Sequence, residues 1–218
     1  MVNVGTYATG KTIENIHMYD TIDGIDAYLV VNPYYNKPTQ TGLYEHFVAA
    51  AKSTQRPVVL YNIKGRTGVN LETDTLLRII ATCPNVIGVK EASGDIDQMQ
   101  EVIDRTPDNF LVLSGDDGLT YELAQRGGDG VISVASNCIP GDMADFVHLS
   151  LQKDPHGKEL AEYFTEFFDK LFIQTNPLPA KTYLAHKGII QETFRLPMCP
   201  MDAHEKKIWL DFIEEKKL

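Results

Sequence analysis

Lys90 is the residue whose position in the sequence most directly suggests chemistry. It follows the apolar run Val86-Ile87-Gly88-Val89, which predicts a strand covered on both faces. An ammonium at the end of such a strand must point into an apolar interior or lie at its rim. Burial disfavours the charged form of a lysine and lowers its pKa, so a neutral amine becomes available as a nucleophile. The alternative, equally compatible with this position, is a lysine whose charge is neutralised by Glu91 or Asp95.

Two side chains at and beyond the end of the preceding β-rich run, Val58–Asn62, are suited to work with such an amine. Tyr61 lies at the end of the run, and a phenol beside a forming imine can relay protons to and from the carbinolamine. An aromatic ring that fills the mouth of the sheet is the alternative. Arg66 lies in a loop between Gly65 and Gly68, where its guanidinium either binds a carboxylate in bidentate fashion or is simply solvated.

The segment after the second β-rich run carries two aromatic residues, Tyr34 and Tyr35, between Pro33 and Pro38. The prolines predict a rigid turn. Aromatic side chains are enriched both in lids over binding sites and at protein interfaces, so the pattern predicts one of these two roles.

No metal ion and no cofactor is expected from the sequence. The histidines include no pair at metal-ligand spacing beside a carboxylate, and the three cysteines lack such spacing as well. No Gly-x-Ser-x-Gly elbow is present, which disfavours a serine hydrolase. Gly127-Gly128-Asp129-Gly130 precedes a strand instead of following one, which predicts a tight turn and not a phosphate-binding loop. The histidines are His17, His46, His148, His156, His186 and His204.

Composition narrows the class of protein. The chain has 218 residues, 43% of them hydrophobic, as expected for one soluble globular domain. Its net charge of −10 repels phosphate backbones and argues against nucleic-acid binding. No apolar run approaches the ~20 residues that a membrane helix needs. The first residues lack the features of a signal peptide, so a cytoplasmic location is predicted.

Six short β-rich runs alternate with segments of helical period, which predicts stacked βα units around a parallel sheet. Two architectures remain open at this point. One is an open doubly wound sheet, and the other is about six-eighths of a closed barrel, which usually needs ~250 residues. Beyond Pro140 only helices are predicted. The runs are Val2–Thr6, Ala27–Val31, Val58–Asn62, Val86–Lys90, Phe110–Ser114 and Gly130–Val134.

Two helix starts are also predicted. Thr73 or Thr75 is the candidate N-cap of the helix that contains Ile80, and Pro84 prevents that helix from continuing. Asp95, directly after Gly94, is the candidate N-cap of the next helix.

Together these strand ends resemble the dihydrodipicolinate synthase family of imine-forming class I aldolases. The similarity covers essentially the whole chain, and several motifs occur in the same order. The matching stretches are Pro33–Pro38, Leu60–Asn62, Gly65–Gly68, Gly88–Asp95, Leu113–Asp117, Gly127–Val134, Asn176–Lys181 and Arg195–Pro197.

The resemblance implies a role for each candidate site residue. Lys90 would form a Schiff base with pyruvate, and Tyr61 would be the proton-relay phenol. Arg66 would bind the carboxylate of the second substrate at the mouth of the pocket. Tyr35 would be lent across a dimer interface to the neighbouring active site, and the carbonyl of Ile132 would lie near the reactive lysine.

The family also implies a fold and a reaction. The expected fold is an α/β (β/α)8 TIM barrel, here with about six of eight βα units. Residues 1–140 would form the partial barrel and 141–218 a C-terminal helical region packed on it. The expected reaction is the condensation of pyruvate with L-aspartate 4-semialdehyde in lysine and diaminopimelate biosynthesis, catalysed by a dimer or tetramer. Arg66 and the Ser-Gly-Asp-Asp stretch favour this reaction over that of the sialic-acid lyases.

This sequence departs from the family pattern at two places. Ile63-Lys64 replaces the family's Val-Pro after Tyr61-Asn62, which removes a proline that stiffens the loop. The first residues resemble the third strand of the barrel, so the Gly-Thr-Thr-Gly loop, which holds the pyruvate carboxylate and supplies a relay threonine, has no counterpart. Reduced condensation activity and self-association are therefore expected. The alternatives are an inactive truncated homologue that acts through self-association, and a related 2-keto-acid aldolase similar to N-acetylneuraminate lyase.

Overall fold

The computed structural model describes all residues, 1–218. The chain forms two compact units, Met1–Ile132 and Ser133–Leu218. The sequence predicts the division between residues 140 and 141 instead. That position is the start of the first long helix of the second unit.

The first unit is built on one parallel sheet of six strands in the order β1-β2-β3-β4-β5-β6. A doubly wound sheet would reverse its order at a switch point, whereas a closed barrel adds each strand beside its predecessor. The order therefore decides for six consecutive units of a (β/α)8 barrel. The strands are β1 Val2–Asn3, β2 Tyr28–Val31, β3 Val58–Asn62, β4 Val86–Glu91, β5 Leu111–Ser114 and β6 Gly130–Val131.

The outer strands are shorter than predicted. The runs Val2–Thr6 and Gly130–Val134 are strands only at β1 and β6, which have a neighbour on one side alone. Backbone hydrogen bonding continues slightly further, because Val4 donates to Leu29 O (3.0 Å) and Ile132 donates to Ser114 O (2.9 Å). The apolar run thus overestimates the length of a strand that is paired on one side only.

Helices with an apolar stripe connect these strands and enclose a continuous core that includes Phe47, Leu60, Leu76 and Val89. The apolar residues between the β-rich runs recur every three or four positions in α1, α2, α4 and α5, so the prediction of these four helices is confirmed. The short helices α3 and α6 are not predicted from such a period. The helices are α1 Thr9–Asp20, α2 Gln40–Lys52, α3 Lys64–Thr67, α4 Thr73–Thr82, α5 Ile96–Arg105 and α6 Thr120–Gln125.

The two predicted helix starts have different outcomes. Asp95 caps α5 as predicted, since its carboxylate accepts hydrogen bonds from the backbone N–H groups of Asp97 and Gln98. The prediction for α4 is wrong: Glu72 occupies the N-cap position and its side chain makes no capping bond. Thr73 is already helical, and its hydroxyl donates to Glu101 Oε2 (2.8 Å) on α5.

The second unit is helical, as predicted for the region beyond Pro140. Its core is aromatic: the Trp209 ring is 5.5 Å from Phe167 and 6.4 Å from Tyr183, and its indole N–H donates to Pro179 O (2.9 Å). No helix in the chain is both long and apolar enough to cross a membrane. A 3-10 turn, Ala135–Asn137, precedes α7 Pro140–Leu151, α8 Pro155–Lys170, α9 Leu178–His186 and α10 Ala203–Lys216.

Candidate active site

Lys90 and Tyr61 meet at the carboxyl ends of neighbouring strands. The register of β3 and β4 pairs Tyr61 with Lys90, so both side chains lie on the same face of the sheet. Lys90 Nζ lies 4.2 Å from the centroid of the Tyr61 ring. The structure thus brings together the two residues that the sequence proposed as nucleophile and proton relay.

The electrostatic surroundings of Lys90 favour the neutral amine. Burial is the main cause that lowers the pKa of Lys90 below its ordinary value. The nearby Arg66 guanidinium lowers this pKa further, whereas the carboxylate of Asp117 opposes both effects and raises it. A lysine held in this way exposes its lone pair at lower pH than a solvated lysine does.

The alternative of a lysine neutralised by Glu91 or Asp95 is wrong. Glu91 follows Lys90 in the strand, and its carboxylate accepts hydrogen bonds from Asn62 Nδ2 (3.1 Å) and the Ser93 N–H (2.9 Å). Asp95 caps α5. Successive residues of a strand face opposite sides of the sheet, so Glu91 cannot pair with its neighbour Lys90 on the same face.

Tyr61 keeps its proton at neutral pH. Burial raises the pKa of the phenol above its ordinary value, and Arg66 reduces that shift only in part. A protonated phenol beside the amine can donate a proton to a departing hydroxide and recover it afterwards, which is what a relay requires.

Arg66 lies on an ordered helical turn, α3, and not in a loop as predicted. Thr67 N–H donates to Ile63 O (3.0 Å), and Gly68 N–H closes the turn on Lys64 O (2.8 Å). Gly68 has a φ of 77°, a left-handed conformation that glycine adopts without strain. The Arg66 side chain is exposed at this end of the sheet, where it acts on both Lys90 and Tyr61.

The aromatic turn after β2 is held at its base but exposes Tyr35. The Tyr34 ring packs edge-on against Tyr7 with 5.7 Å between centroids, and Asn36 Nδ2 donates to Tyr7 O (2.9 Å). Tyr35 has a φ of 75° and remains 90% exposed. A side chain with that exposure does not line a pocket within its own chain, so the structure does not join Tyr35 to Lys90 and Tyr61.

Ile132 is half-buried directly beyond β6, and its N–H donates to Ser114 O (2.9 Å). Its backbone is therefore fixed at the carboxyl end of the strands, where the other candidate residues also lie. The role proposed for its carbonyl oxygen remains a prediction.

Two residues of the Ser-Gly-Asp-Asp stretch belong to the candidate site, although no separate role is predicted for either from sequence. Asp117 is buried and acts electrostatically on Lys90. A Cβ on Gly115 would lie 2.8 Å from Lys90 Cε and 2.7 Å from Ala92 Cβ, closer than such atoms approach. Gly115 thus leaves the space through which the lysine side chain passes. Their position is a usable sequence signal, since Gly115 and Asp117 are the first and third residues after β5.

We therefore expect Gly115→Ala to displace the Lys90 side chain. Misplacement of a reacting group by about 1 Å can cost ~100-fold in rate, so the rate of imine formation with pyruvate should fall by an order of magnitude or more. Gly10→Ala is the matched control, because nothing lies within 4 Å of a Cβ at that position. Equal rates for the two variants would contradict the role of Gly115. Reductive trapping followed by mass spectrometry measures both.

No group of three or more His, Cys, Asp or Glu side chains is placed to hold a metal ion. The site as it stands offers amine, phenol, guanidinium and carboxylate chemistry.

Comparison with known proteins identifies the protein family to which this chain belongs. The profile of the dihydrodipicolinate synthetase family matches residues 1–216. A 4-hydroxy-tetrahydrodipicolinate synthase from Acidobacterium capsulatum is 45% identical over 197 residues, which cover 90% of this chain and 65% of the relative. The chain thus spans slightly less than two thirds of the length of that relative.

Two solved structures share the fold. Dihydrodipicolinate synthase from Aquifex aeolicus has a TM-score of 0.96 at 36% identity, over 100% of this chain and 74% of that one. The chloride-inhibited dihydrodipicolinate synthase from Acinetobacter baumannii, solved in complex with pyruvate, has a TM-score of 0.94 at 35% identity, over 99% and 74% of the two chains. With a sheet wound as a (β/α)8 barrel and a lysine–tyrosine pair at its strand ends, the chain belongs to the dihydrodipicolinate synthetase family.

Proposed function

We propose that this protein is a lyase of the 4-hydroxy-tetrahydrodipicolinate synthase type, which condenses pyruvate with L-aspartate 4-semialdehyde through an imine on Lys90. The observation that carries the proposal is the position of Lys90 Nζ, 4.2 Å from the Tyr61 ring at paired strand ends. The names of the relatives support it, and they favour this reaction over that of an N-acetylneuraminate lyase.

In the proposed reaction the neutral amine of Lys90 attacks the keto carbon of pyruvate. The carbinolamine then loses water as a C=N bond forms, and the Tyr61 phenol supplies the proton that lets hydroxide leave. The Tyr61 phenolate left by this step takes a methyl proton from the protonated imine, which gives an enamine. The enamine carbon attacks the aldehyde of the second substrate, and the Tyr61 phenol protonates the resulting alkoxide. Attack by the amino group of that substrate on the imine carbon closes the ring and releases Lys90.

Arg66 is proposed to bind the carboxylate of aspartate semialdehyde. Its exposed guanidinium lies beyond the strand end, on α3, while Lys90 is half-buried in the sheet. The resemblance assigns the same role. The guanidinium geometry suits a bidentate contact with a carboxylate.

Arg66→Ala should therefore weaken the second substrate more than the first. Loss of a charge-assisted hydrogen bond is worth roughly 1.5–3 kcal/mol, so kcat/KM for aspartate semialdehyde should fall about tenfold or more. Trapping of the pyruvate imine should change much less. Arg66→Lys keeps the charge without the bidentate fork and should give an intermediate loss. Equal damage to trapping and to condensation would contradict the assignment.

The pH dependence of imine formation provides a test, because two substitutions should shift the pKa of Lys90 in opposite directions. The rate rises with pH as Lys90 loses its proton, and the rise should occur below the pH at which an ordinary lysine reacts. Asp117→Asn removes the carboxylate that raises the pKa of Lys90, so the rise should move to lower pH. Arg66→Ala removes a cation that lowers this pKa, so the rise should move to higher pH. Shifts in the same direction would contradict this account of the site.

Tyr35 is proposed to act in a neighbouring subunit of a homo-oligomer, as the resemblance implies. Its 90% exposure on a turn anchored by Tyr34 and Asn36 supports a role outside its own chain. Dimeric or tetrameric assembly and a cytoplasmic location are part of the same proposal.

An assay of purified protein with both substrates tests the proposed function. Consumption of pyruvate should depend on aspartate semialdehyde, with release of the cyclic product. Cleavage of N-acetylneuraminate in its place would support the sialic-acid lyase alternative. An assembled protein that turns over neither compound would support a non-catalytic homologue.

A further inference from the structure

A second set of strand-end residues lies on the opposite face of the sheet from Lys90 and Tyr61. Asn32, Asn62, Glu91 and Ser114 follow one another across β2 to β5, and each is 0–1% exposed. Asn62 directly follows Tyr61 in the chain, and Glu91 directly follows Lys90. The buried row and the reacting side chains are therefore consecutive residues of the same strands.

Glu91 is the centre of the row. Asn62 Nδ2 donates to both carboxylate oxygens (3.1 and 3.3 Å), the Ser93 N–H donates to Oε1 (2.9 Å), and Gln98 Nε2 donates to Oε2 (3.4 Å). Each of these contacts has a nitrogen donor facing a carboxylate oxygen. The arrangement suits a carboxylate and would not suit an amide, which would place donor against donor.

The burial of Glu91 costs free energy, so this residue does not serve the stability of the core as an apolar side chain would. Burial raises the pKa of Glu91 above its ordinary value, and the hydrogen bonds from Asn62, Ser93 and Gln98 only oppose that shift. A buried ionisable group is a poor source of stability compared with an apolar side chain of similar size. A buried group of this kind can instead fix the relative positions of the segments to which it is hydrogen-bonded.

Asn62 extends the same geometry to the neighbouring segments. Its Oδ1 accepts hydrogen bonds from Asn32 Nδ2 (2.9 Å) and the Leu71 N–H (3.0 Å), and its Nδ2 donates to Asn70 Oδ1 (2.9 Å). Asn32 precedes the aromatic turn that carries Tyr35, while Asn70 and Leu71 follow the turn that carries Arg66. The Asn62–Glu91 pair thus connects the bases of the segments that carry Tyr35, Tyr61, Arg66 and Lys90.

We propose that Glu91, through its hydrogen bonds with Asn62, is the positioning residue that holds Lys90 against Tyr61 for imine formation. The proposal rests on the proposed function and adds a residue to it. Asp117 and Arg66 are the charged groups that act on Lys90, so Glu91 acts through the geometry of β3 and β4 and not through its own charge.

Glu91→Gln is the first test. It keeps the shape of the side chain, but its amide N–H₂ group must face one of the nitrogen donors that now bind the carboxylate. The rate of reductive trapping with pyruvate should fall about 10- to 100-fold. The apparent pKa of Lys90, read from the pH dependence of its acetylation, should rise toward that of an ordinary lysine. Glu45→Gln, at an exposed position of α2, is the matched control and should change neither quantity.

A reversed pair separates positioning from simple destabilisation. In Asn62→Asp/Glu91→Gln the carboxylate moves to position 62 and the amide to position 91, so that one donor again faces one acceptor between them. This double variant should recover most of the trapping rate that Glu91→Gln loses. If Glu91→Gln does not fold, Gln98→Met removes one donor to Glu91 and should lower the rate in the same direction by a smaller factor.

The outcomes separate this inference from the proposed function. Wild-type trapping and an unchanged Lys90 pKa in Glu91→Gln would overturn the positioning role while the imine chemistry stands. If the unsubstituted protein traps no pyruvate, the proposed function fails. The acetylation profile then decides, and an unchanged Lys90 pKa in Glu91→Gln overturns the inference.

Discussion

Lys90→Ala is expected to abolish the pyruvate adduct that borohydride traps, and with it all condensation activity. The variant lacks the only atom proposed to form the C=N bond, so no partial rate should remain from this route. The fold should persist, because alanine replaces a half-buried ammonium whose desolvation lowers its pKa and thus disfavours its charged form in the folded protein. Intact-mass measurement after reduction reads the adduct directly.

Lys52→Ala is the matched control for this experiment. Lys52 is an exposed lysine in the last turn of α2, and its removal should leave the adduct at the level of the unsubstituted protein. An undiminished adduct in Lys90→Ala, mapped to Lys37 or Lys64, would show that another amine is the nucleophile.

Tyr61→Phe should slow imine formation and condensation without preventing the adduct altogether. The ring remains, so its contact with Lys90 Nζ is preserved, but the phenolic proton is lost. Proton transfer by a positioned side chain typically contributes 10²–10⁴-fold, and we expect a loss of about 100-fold in the rate of trapping. The pH profile should also change, since water must take over the transfer.

Tyr44→Phe provides the comparison. The Tyr44 hydroxyl makes a hydrogen bond of 3.1 Å with Thr82 Oγ1 on α4, so its loss removes one ordinary contact away from the strand ends. A small change in stability and no change in trapping rate are expected. If the two phenylalanine variants trap pyruvate equally fast, Tyr61 is not a proton relay.

The strands and the central pair of the site could be predicted from sequence for a clear physical reason. The run Val58–Asn62 coincides with β3, because a central strand buried on both faces is apolar along its whole length. Lys90 and Tyr61 end consecutive runs, and consecutive strands of a barrel are neighbours. Their proximity therefore follows from the order of the runs once the sheet is that of a barrel.

Other parts of the site depend on properties that a residue's type does not reveal. Gly115 matters because of the room that it leaves for Lys90, which requires the register of β4 and β5. Arg66 was expected in a loop, yet the hydrogen bonds of Thr67 and Gly68 close a helical turn there.

The position of Glu91 follows from the alternation of side chains along a strand. A counter-ion role beside Lys90 conflicts with this alternation, because adjacent residues in a strand point to opposite faces. The alternation of β4 alone predicts that Glu91 lies behind the site. Its hydrogen bonds with Asn62 then give it a different role from the one first considered.

The most direct test of the account is reduction of the purified protein by borohydride in the presence of pyruvate, followed by peptide mapping. We expect one reduced pyruvate adduct per chain, located on Lys90 and formed more readily as the pH rises through a pKa below that of an ordinary lysine. No adduct, or one spread over exposed lysines with no preference for Lys90, would contradict it.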